Sequence, residues 1–181
     1  MSGTSAHDVA TELRRRLPGL GVKKLHKLLY YCQGHHLATF GRPLFNETIS
    51  AWDMGPVVGA LWYAEKEASA PSGTAMTDEA ELNSIGYVVS RYGNLTGSDL
   101  ERLTHAEDPW RDADRIRPER GSVRIRNDDI ERFFRGNVAG PDDAELDAAE
   151  LTAWLRRASP DTPTRSVDTV ESIRARGRGH G

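Results

Sequence analysis

Cys32, His35 and His36 are the first residues whose types and spacing could do chemistry. Side chains three and four residues apart share one face of a helix, and a thiolate with two imidazoles could bind Zn²⁺. A structural zinc site needs four ligands, but the sequence has one cysteine and His26 lies two turns away. We therefore expect no metal and no other cofactor, and we interpret these residues as a small core sulfur and partly exposed imidazoles.

The run Thr104–Asp108 combines a hydroxyl, an imidazole and two carboxylates, as a nucleophile, a base and its orienting acid would require. Adjacent residues of a helix point in different directions, however, so Thr104 and His105 are not expected to share a side-chain hydrogen bond. We instead expect Thr104 to donate to a backbone carbonyl, and Asp108 to cap the turn that Pro109 opens. The sequence thus predicts a protein that is not an enzyme; the alternative is a small hydrolase or metalloenzyme that uses its cysteine and histidines.

The segment Trp52–Pro56 joins a large amphipathic ring, a carboxylate and a rigid turn. One interpretation buries Trp52 in the core, with Asp53 accepting N–H bonds from the turn. The other makes this corner a partner-binding surface, because Trp, Tyr and Arg dominate the energetic hot spots of interfaces. The same two interpretations apply to Trp62 and Trp110, so the sequence leaves core and interface open for these rings.

The chain has 181 residues, a length typical of one domain with a sizeable core. Its net charge of −3 argues against a phosphate backbone as the main partner, and its glycines form no phosphate-cradling motif. A single cysteine fits a reducing cytosol, and there is neither a signal-peptide pattern nor an apolar run of about 20 residues. We therefore expect a cytoplasmic protein that has no membrane segment and does not depend on nucleic acid.

Apolar residues at three- and four-residue steps predict a mainly α (α+β) domain of about five to seven helices. In the second helix, Lys23, Lys27 and Tyr31 form a stripe beside the apolar one, and we expect that stripe to stay wet. The predicted elements are a helix capped by Thr4 or Ser5, a helix from Val22 to Gly41, an extended segment Leu44–Trp52, a helix opened by Gly55 and Pro56, a loop from Ala68 to Thr77, helices capped by Thr77 and by Thr96 or Ser98, a strand Ser122–Arg126 paired with the earlier extended segment, and a helix capped by Asn127.

The composition changes near residue 136. Residues 1–135 are predicted to form the helical domain, and residues 136–158 a linker followed by an accessory helix with acidic residues at its amino terminus. Residues 159–181 are polar and end in an Arg-Gly run, so we expect them to be disordered.

Four separated segments resemble one known family in their residues and in their order. They are Lys23–Leu37 (KKLHKLLYYCQGHHL), Gly41–Phe45 (GRPLF), Ala51–Val58 (AWDMGPVV) and Leu103–Trp110 (LTHAEDPW). Together they make the chain similar to the Panacea domain, the group that includes the SocA-like antitoxins, from about Val22 to Phe134. Relatives typically carry an aromatic residue or Ala in place of Cys32 and Trp in place of His35, so the middle of this helix is expected to pack differently here.

The resemblance implies a compact helical domain with a small β element of two or three strands, encoded beside a toxin that it neutralises by direct binding. The SocA-like branch is also linked to delivering its toxin to a ClpXP-type protease, so a proteolytic adaptor is the alternative. We therefore expect a cognate protein toxin, and with it a ClpXP-type protease under the alternative, as partners. The candidate partner-binding residues are Lys27, Tyr31, Trp52, Asp53, Gly55, Pro56, Thr104, His105 and Trp110.

Overall fold

A computed structural model describes residues 3–137, which form seven helices and a three-stranded antiparallel sheet. The predicted class, mainly α with a small β element, is confirmed. In chain order the elements are α1 (Ala6–Arg16), α2 (Val22–Phe40), β1 (Ile49–Trp52), β2 (Gly55–Val58), α3 (Gly59–Lys66), α4 (Glu79–Tyr92), α5 (Gly97–His105), α6 (Asp108–Ile116), β3 (Val123–Ile125) and α7 (Asn127–Gly136).

Local signals in the sequence set the start of α1 and the end of α2. Ser5 and Asp8 form the predicted capping box, in which each side chain accepts a hydrogen bond from the other residue's backbone N–H. At the end of α2, Gly41 adopts the left-handed conformation with a φ of 66°, which glycine enters without a steric cost. These predicted boundaries are confirmed.

The longest helix, α2, lies at the centre of the domain and packs against α1, α4, α5, α7 and β2. Because it is surrounded, the prediction that its Lys23, Lys27 and Tyr31 stripe stays wet is wrong: Lys27 and Tyr31 are fully buried. Gly34 leaves room for α7, since a Cβ atom added there would lie 2.3 Å from a ring carbon of Phe134.

The sheet has the strand order β2-β1-β3, with both neighbours antiparallel to β1. Ile49 pairs with Val58 on one side and with Ile125 on the other, and all three are buried. The predicted pairing of the late strand with the early extended segment is thereby confirmed. It brings the chain before β3 next to the turn between β1 and β2.

The prediction that Gly55 and Pro56 open a helix is wrong. They begin strand β2, where Pro56 pairs with Ala51, and the helix α3 begins only at Gly59. A proline φ suits an extended strand as well as a first helical turn, and Gly55 has a φ of 107°, which closes the hairpin from Trp52 to Gly55.

Several helix caps differ from the predicted ones. Thr96 caps α5 as expected, with Asp99 completing a capping box, but Asp78 caps α4 in place of Thr77. The residues flanking α6 and α7 also shift by one position, because the N-cap of α6 is Glu107 and not Asp108, and that of α7 is Arg126 and not Asn127. Neither of these two caps has a side-chain hydrogen bond.

Helix α6 itself was not predicted, although Pro109 occupies its first turn, as proline commonly does. The structure describes the chain only up to residue 137, so the predicted accessory helix, the tail and nearly all of the predicted linker lie outside the described residues. Gly136, the first residue of that linker, is the last residue of α7. Within residues 3–137, no helix is both long and apolar enough to cross a membrane.

Candidate functional site

A groove of about 350 Å³ opens where the start of α2, the β1–β2 hairpin and α3 meet the chain before β3. We call it the tryptophan groove. Its lining residues are Val22, Lys23, His26, Lys27, Trp52, Asp53, Met54, Val57, Trp62, Tyr63, Arg120, Gly121 and Ser122.

Three aromatic rings form one wall of the tryptophan groove. Trp52 and Trp62 meet edge to face with centroids 5.3 Å apart, and Tyr63 lies 5.0 Å from Trp62 and 6.0 Å from Trp52. Tyr63 is 53% exposed, and the ammonium of Lys66 lies 4.8 Å from the Trp62 ring centre. These rings support one another in fixed positions, so the wall presents a rigid apolar surface to solvent.

His26 lies in the groove as a hydrogen-bond donor without an acceptor. Its Nδ1 accepts a hydrogen bond of 3.2 Å from the backbone N–H of Val58. Burial lowers the pKa of His26 to about 3, with a further contribution from the charge of Lys27, so the ring is neutral. A neutral imidazole whose Nδ1 accepts must carry its hydrogen on Nε2, and this buried Nε2 has no hydrogen-bond partner.

Lys27 brings a second group of donors to the groove. The residue is 1% exposed, and its Nζ donates one hydrogen bond of 3.3 Å to the Pro56 carbonyl. Among residues 3–137 its ammonium forms no ion pair, and burial lowers its pKa to about 7. Gly55 makes room for it, since a Cβ atom there would lie 2.7 Å from Cε of Lys27.

The acidic groups near the groove are already neutralised by other side chains. Asp53 forms an ion pair of 2.6 Å with Arg117, and Glu101 is paired with Lys23. Arg120 lies at the rim with a φ of 58°, a left-handed conformation that is strained for an arginine. The charges that remain without a carboxylate partner are therefore positive.

A chain of contacts beneath the hairpin holds Trp52 in place. The Nε1 of Trp110 donates a hydrogen bond of 3.1 Å to the Trp52 carbonyl, and the ring of His105 stacks on Trp110 with centroids 3.9 Å apart. Trp52 Nε1 in turn donates to the hydroxyl of Ser122 over 3.0 Å. Trp110 and His105 thus position the groove from below.

Thr104 donates its hydroxyl hydrogen to the Glu101 carbonyl over 3.0 Å, as the sequence predicted. The hydroxyl is therefore directed at its own helix, while the neighbouring imidazole of His105 stacks on a tryptophan. The arrangement can orient and support the hairpin, and it does not pair a nucleophile with a base.

Tyr31 belongs to a separate buried cluster on the other side of α2. The hydroxyls of Tyr30 and Tyr31 donate to the two carboxyl oxygens of Glu107, over 2.9 Å and 2.8 Å, and Tyr31 stacks on Tyr92 at 4.0 Å. Burial of the Glu107 carboxyl group raises its pKa to about 7, although both tyrosine hydrogen bonds act to lower it. This cluster ties the start of α6 to α2.

The residues considered as metal ligands make other contacts. Cys32 is buried, and burial raises the pKa of its thiol. His35 Nε2 lies 2.9 Å from the hydroxyl of Tyr92, and His36 Nδ1 lies 2.8 Å from that of Ser84. Across the described part of the chain, no three His, Cys, Asp or Glu side chains are grouped to hold a metal ion.

Eight of the nine candidate partner-binding residues gather around the hairpin, and Tyr31 alone lies apart. Of the nine, Trp52, Asp53 and His105 have side chains that reach the surface. That these three contact the partner directly stays a prediction. Lys27 lines the groove despite its burial. For the buried Tyr31, Gly55, Pro56, Thr104 and Trp110, we infer a role in positioning their neighbours.

Sequence reasoning missed His26, Tyr63 and Arg120 as groove residues. His26 stands inside the Lys23–Leu37 segment that carries the resemblance, and that position was the available signal. Nothing in the local pattern indicates that Tyr63 and Arg120 share a groove, since 57 residues of sequence separate them and only the sheet brings them together.

Residues 25–111, a little under half of the 181 residues, match the family model described as antitoxin SocA-like, Panacea domain. No curated protein and no solved structure matches the chain. The match covers the central helix from Leu25 onward, the hairpin, α3 and the start of α6, and eight of the thirteen residues that line the tryptophan groove lie inside it. Residues 25–111 of this chain are therefore similar to the Panacea domain of SocA-like antitoxins.

Proposed function

We propose that this chain is an antitoxin, which neutralises a protein toxin by binding it directly with the tryptophan groove at the centre of the interface. The supporting observation is that most of the groove falls inside the matched Panacea domain. A groove with one wall of Trp and Tyr rings has the composition of interface hot spots.

The toxin would be held by many contacts, with the groove as their anchor. A specific interface covers roughly 800 Å² on each partner, which is far more than one groove of this size offers. The exposed parts of Tyr63, Trp52 and Asp53 surround the opening and would extend the contact. In such interfaces a few centrally placed residues contribute most of the binding energy.

We further propose that neutralisation involves no covalent chemistry by this chain. The hydroxyl of Thr104 is directed at a backbone carbonyl, and His105 stacks on Trp110. Burial raises the pKa of the Cys32 thiol, which disfavours the reactive thiolate. These contacts favour binding over catalysis as the mode of action.

The test is co-expression of the full chain with the protein encoded by the adjacent open reading frame, which is induced alone and together with this chain. We expect the neighbour to arrest growth alone and this chain to restore growth. Tyr63→Ala, at the groove rim, should weaken rescue and reduce affinity by about tenfold or more. Tyr87→Ala removes a similarly exposed ring beside His35, away from the groove, and should rescue as well as the wild type.

Thermal melts of both variants serve as the control that each remains folded. A neighbour that is harmless alone, or that stays toxic beside abundant folded partner, contradicts the antitoxin proposal. Equal rescue by the wild type and by Tyr63→Ala contradicts the role of the groove.

A further inference from the structure

We propose that the tryptophan groove recognises a carboxylate side chain, Asp or Glu, of the partner protein, which accepts hydrogen bonds from His26 Nε2 and the Lys27 ammonium. This inference rests on the proposed function, since it names the chemical group through which the toxin would be held. Three observations of the groove carry it.

The first observation is the unused donor of His26. The residue is 2% exposed and lines the groove, its Nδ1 is occupied by the Val58 N–H, and its Nε2 has no partner. Leaving a buried donor without an acceptor costs about 1–3 kcal/mol. An acceptor that enters the groove would remove that cost.

The second observation is the state of Lys27. An ammonium carries three N–H donors, and this one makes a single long hydrogen bond, to a neutral carbonyl. A buried charge is usually paired, because an unpaired one is costly to remove from water. Glu101 attracts this ammonium from nearby but is paired with Lys23, so within residues 3–137 no carboxylate forms an ion pair with Lys27.

The third observation is the charge balance around the opening. The nearby carboxylates of Asp53 and Glu101 are taken by Arg117 and Lys23. Arg120 adds a further positive charge at the rim, in a backbone conformation that costs about 1–2 kcal/mol for an arginine. A carboxylate offers about four acceptor positions, enough for both buried donors.

The shape of the groove favours a protein side chain as the source of the carboxylate. About 350 Å³ beside the aromatic wall accommodates one side chain with a short stretch of its backbone. Phosphates of a nucleic acid are usually contacted in series by several Lys and Arg residues, whereas the donors here are buried at one point. We therefore assign the groove to an acidic residue of the toxin.

A probe that does not depend on the toxin tests the chemistry of the groove. The full-length, ¹⁵N-labelled chain is titrated with 3-phenylpropionate and with its uncharged match, 3-phenylpropionamide, and amide shifts are followed at Val58 and around the groove. We expect the acid to bind about tenfold more tightly than the amide, because charge-assisted hydrogen bonds add to the apolar contact. Equal binding of the two, or no binding of either, overturns the proposal.

Variants then identify the donors. His26→Asn keeps an acceptor for the Val58 N–H but loses the Nε2 donor, whereas His26→Gln places an amide donor near the Nε2 position. We expect the Asn variant and Lys27→Met each to lose about tenfold in affinity for the acid and to spare the amide, with partial recovery in the Gln variant. Arg132→Met removes an exposed positive charge from α7, outside the groove, and should leave both affinities unchanged.

The same variants separate this inference from the proposed function when the toxin is used. Full neutralisation by the wild type and an unchanged toxin affinity of Lys27→Met would leave the antitoxin proposal standing and refute the carboxylate contact. A neighbour that the wild type fails to neutralise refutes the antitoxin proposal. If the groove then still prefers the acid probe, a free small carboxylate is its ligand, and the assignment to a protein side chain is wrong.

Discussion

Replacement of Lys27 by methionine should stabilise the folded chain while it weakens the binding of the partner. Burial lowers the pKa of this ammonium from an ordinary 10.5 to about 7. One pKa unit corresponds to about 1.36 kcal/mol, so keeping the ammonium charged in the fold costs up to about 5 kcal/mol. Methionine has a similar length and keeps the apolar stem packed, and such replacements of buried charges gain about 1–4 kcal/mol. We expect a gain in that range at pH 7.

The sign of the pH dependence follows from the lowered pKa. Between about pH 7 and 10.5 the unfolded chain keeps the proton on Lys27 and the folded chain has lost it. The free energy of unfolding of the wild type therefore rises with pH across this window, by up to about 1.4 kcal/mol per pH unit. Since methionine does not titrate, the advantage of the variant should be largest near pH 7 and should shrink toward pH 10. Glu101, which raises the pKa of Lys27, and Lys23, which lowers it, are present in both proteins.

The assay is urea denaturation followed by tryptophan fluorescence and circular dichroism at pH 6.5, 7.5, 8.5 and 9.5. Lys66→Met, which replaces an exposed lysine of α3, is the matched control, and its difference from the wild type should not vary with pH. A Lys27→Met protein that is less stable than the wild type at pH 7, or whose difference is the same at every pH, would refute the reasoning that Lys27 is a costly, unpaired charge.

Three further predictions concern the core. Gly34→Ala places a methyl group against the Phe134 ring and should lower the free energy of unfolding by about 1–3 kcal/mol, whereas Gly136→Ala, with open space around it, should not; thermal melts that rank them the other way contradict the packing. The pKa of the Glu107 carboxyl group is raised in the folded state, so between pH 4.5 and 7 the folded chain holds a proton that the unfolded chain has lost, and the wild type should lose about 1–3 kcal/mol of stability as pH rises through this range. Glu107→Gln does not titrate and should not show this loss. Parallel pH profiles for the two proteins would disprove this. The buried thiol of Cys32 should react with a disulfide reagent such as DTNB only as fast as the chain opens, so rapid labelling at neutral pH without denaturant would contradict its environment.

Local elements of this fold could be predicted from the sequence because their causes lie within a few residues. The capping box of Ser5 and Asp8 and the glycine stop at Gly41 act through neighbouring backbone groups. Alternation in the segment around Val123 indicated a strand, and an unpaired strand needs a partner, so its pairing with β1 also followed. The motifs that resemble the Panacea domain likewise pointed to the family model that residues 25–111 match.

The sequence identified some residues of the candidate site but not how they are arranged. The hairpin around Trp52 and Asp53 was singled out by residue type, and it does form one side of the groove. Gly55 and Pro56 were assigned to a helix because a proline φ fits a first helical turn as well as a strand, and only pairing with β1 decides between them. Core and interface stayed open for the tryptophans, since a ring of this kind is suited to both.

What the sequence by itself determined is most of the helices, some of their ends, one strand pairing and a resemblance to one family, all of which depend on short-range geometry or on motif order. What only the tertiary structure decided is the environment of each polar group. The sequence pattern places Lys27 on an exposed face of its helix. Five elements pack around that helix, however, and Lys27 is buried. His26 becomes a neutral donor because Val58, 32 residues away, occupies its other nitrogen. Burial and hydrogen-bond pairing are properties of the assembled fold, since they depend on which distant backbone arrives beside a side chain.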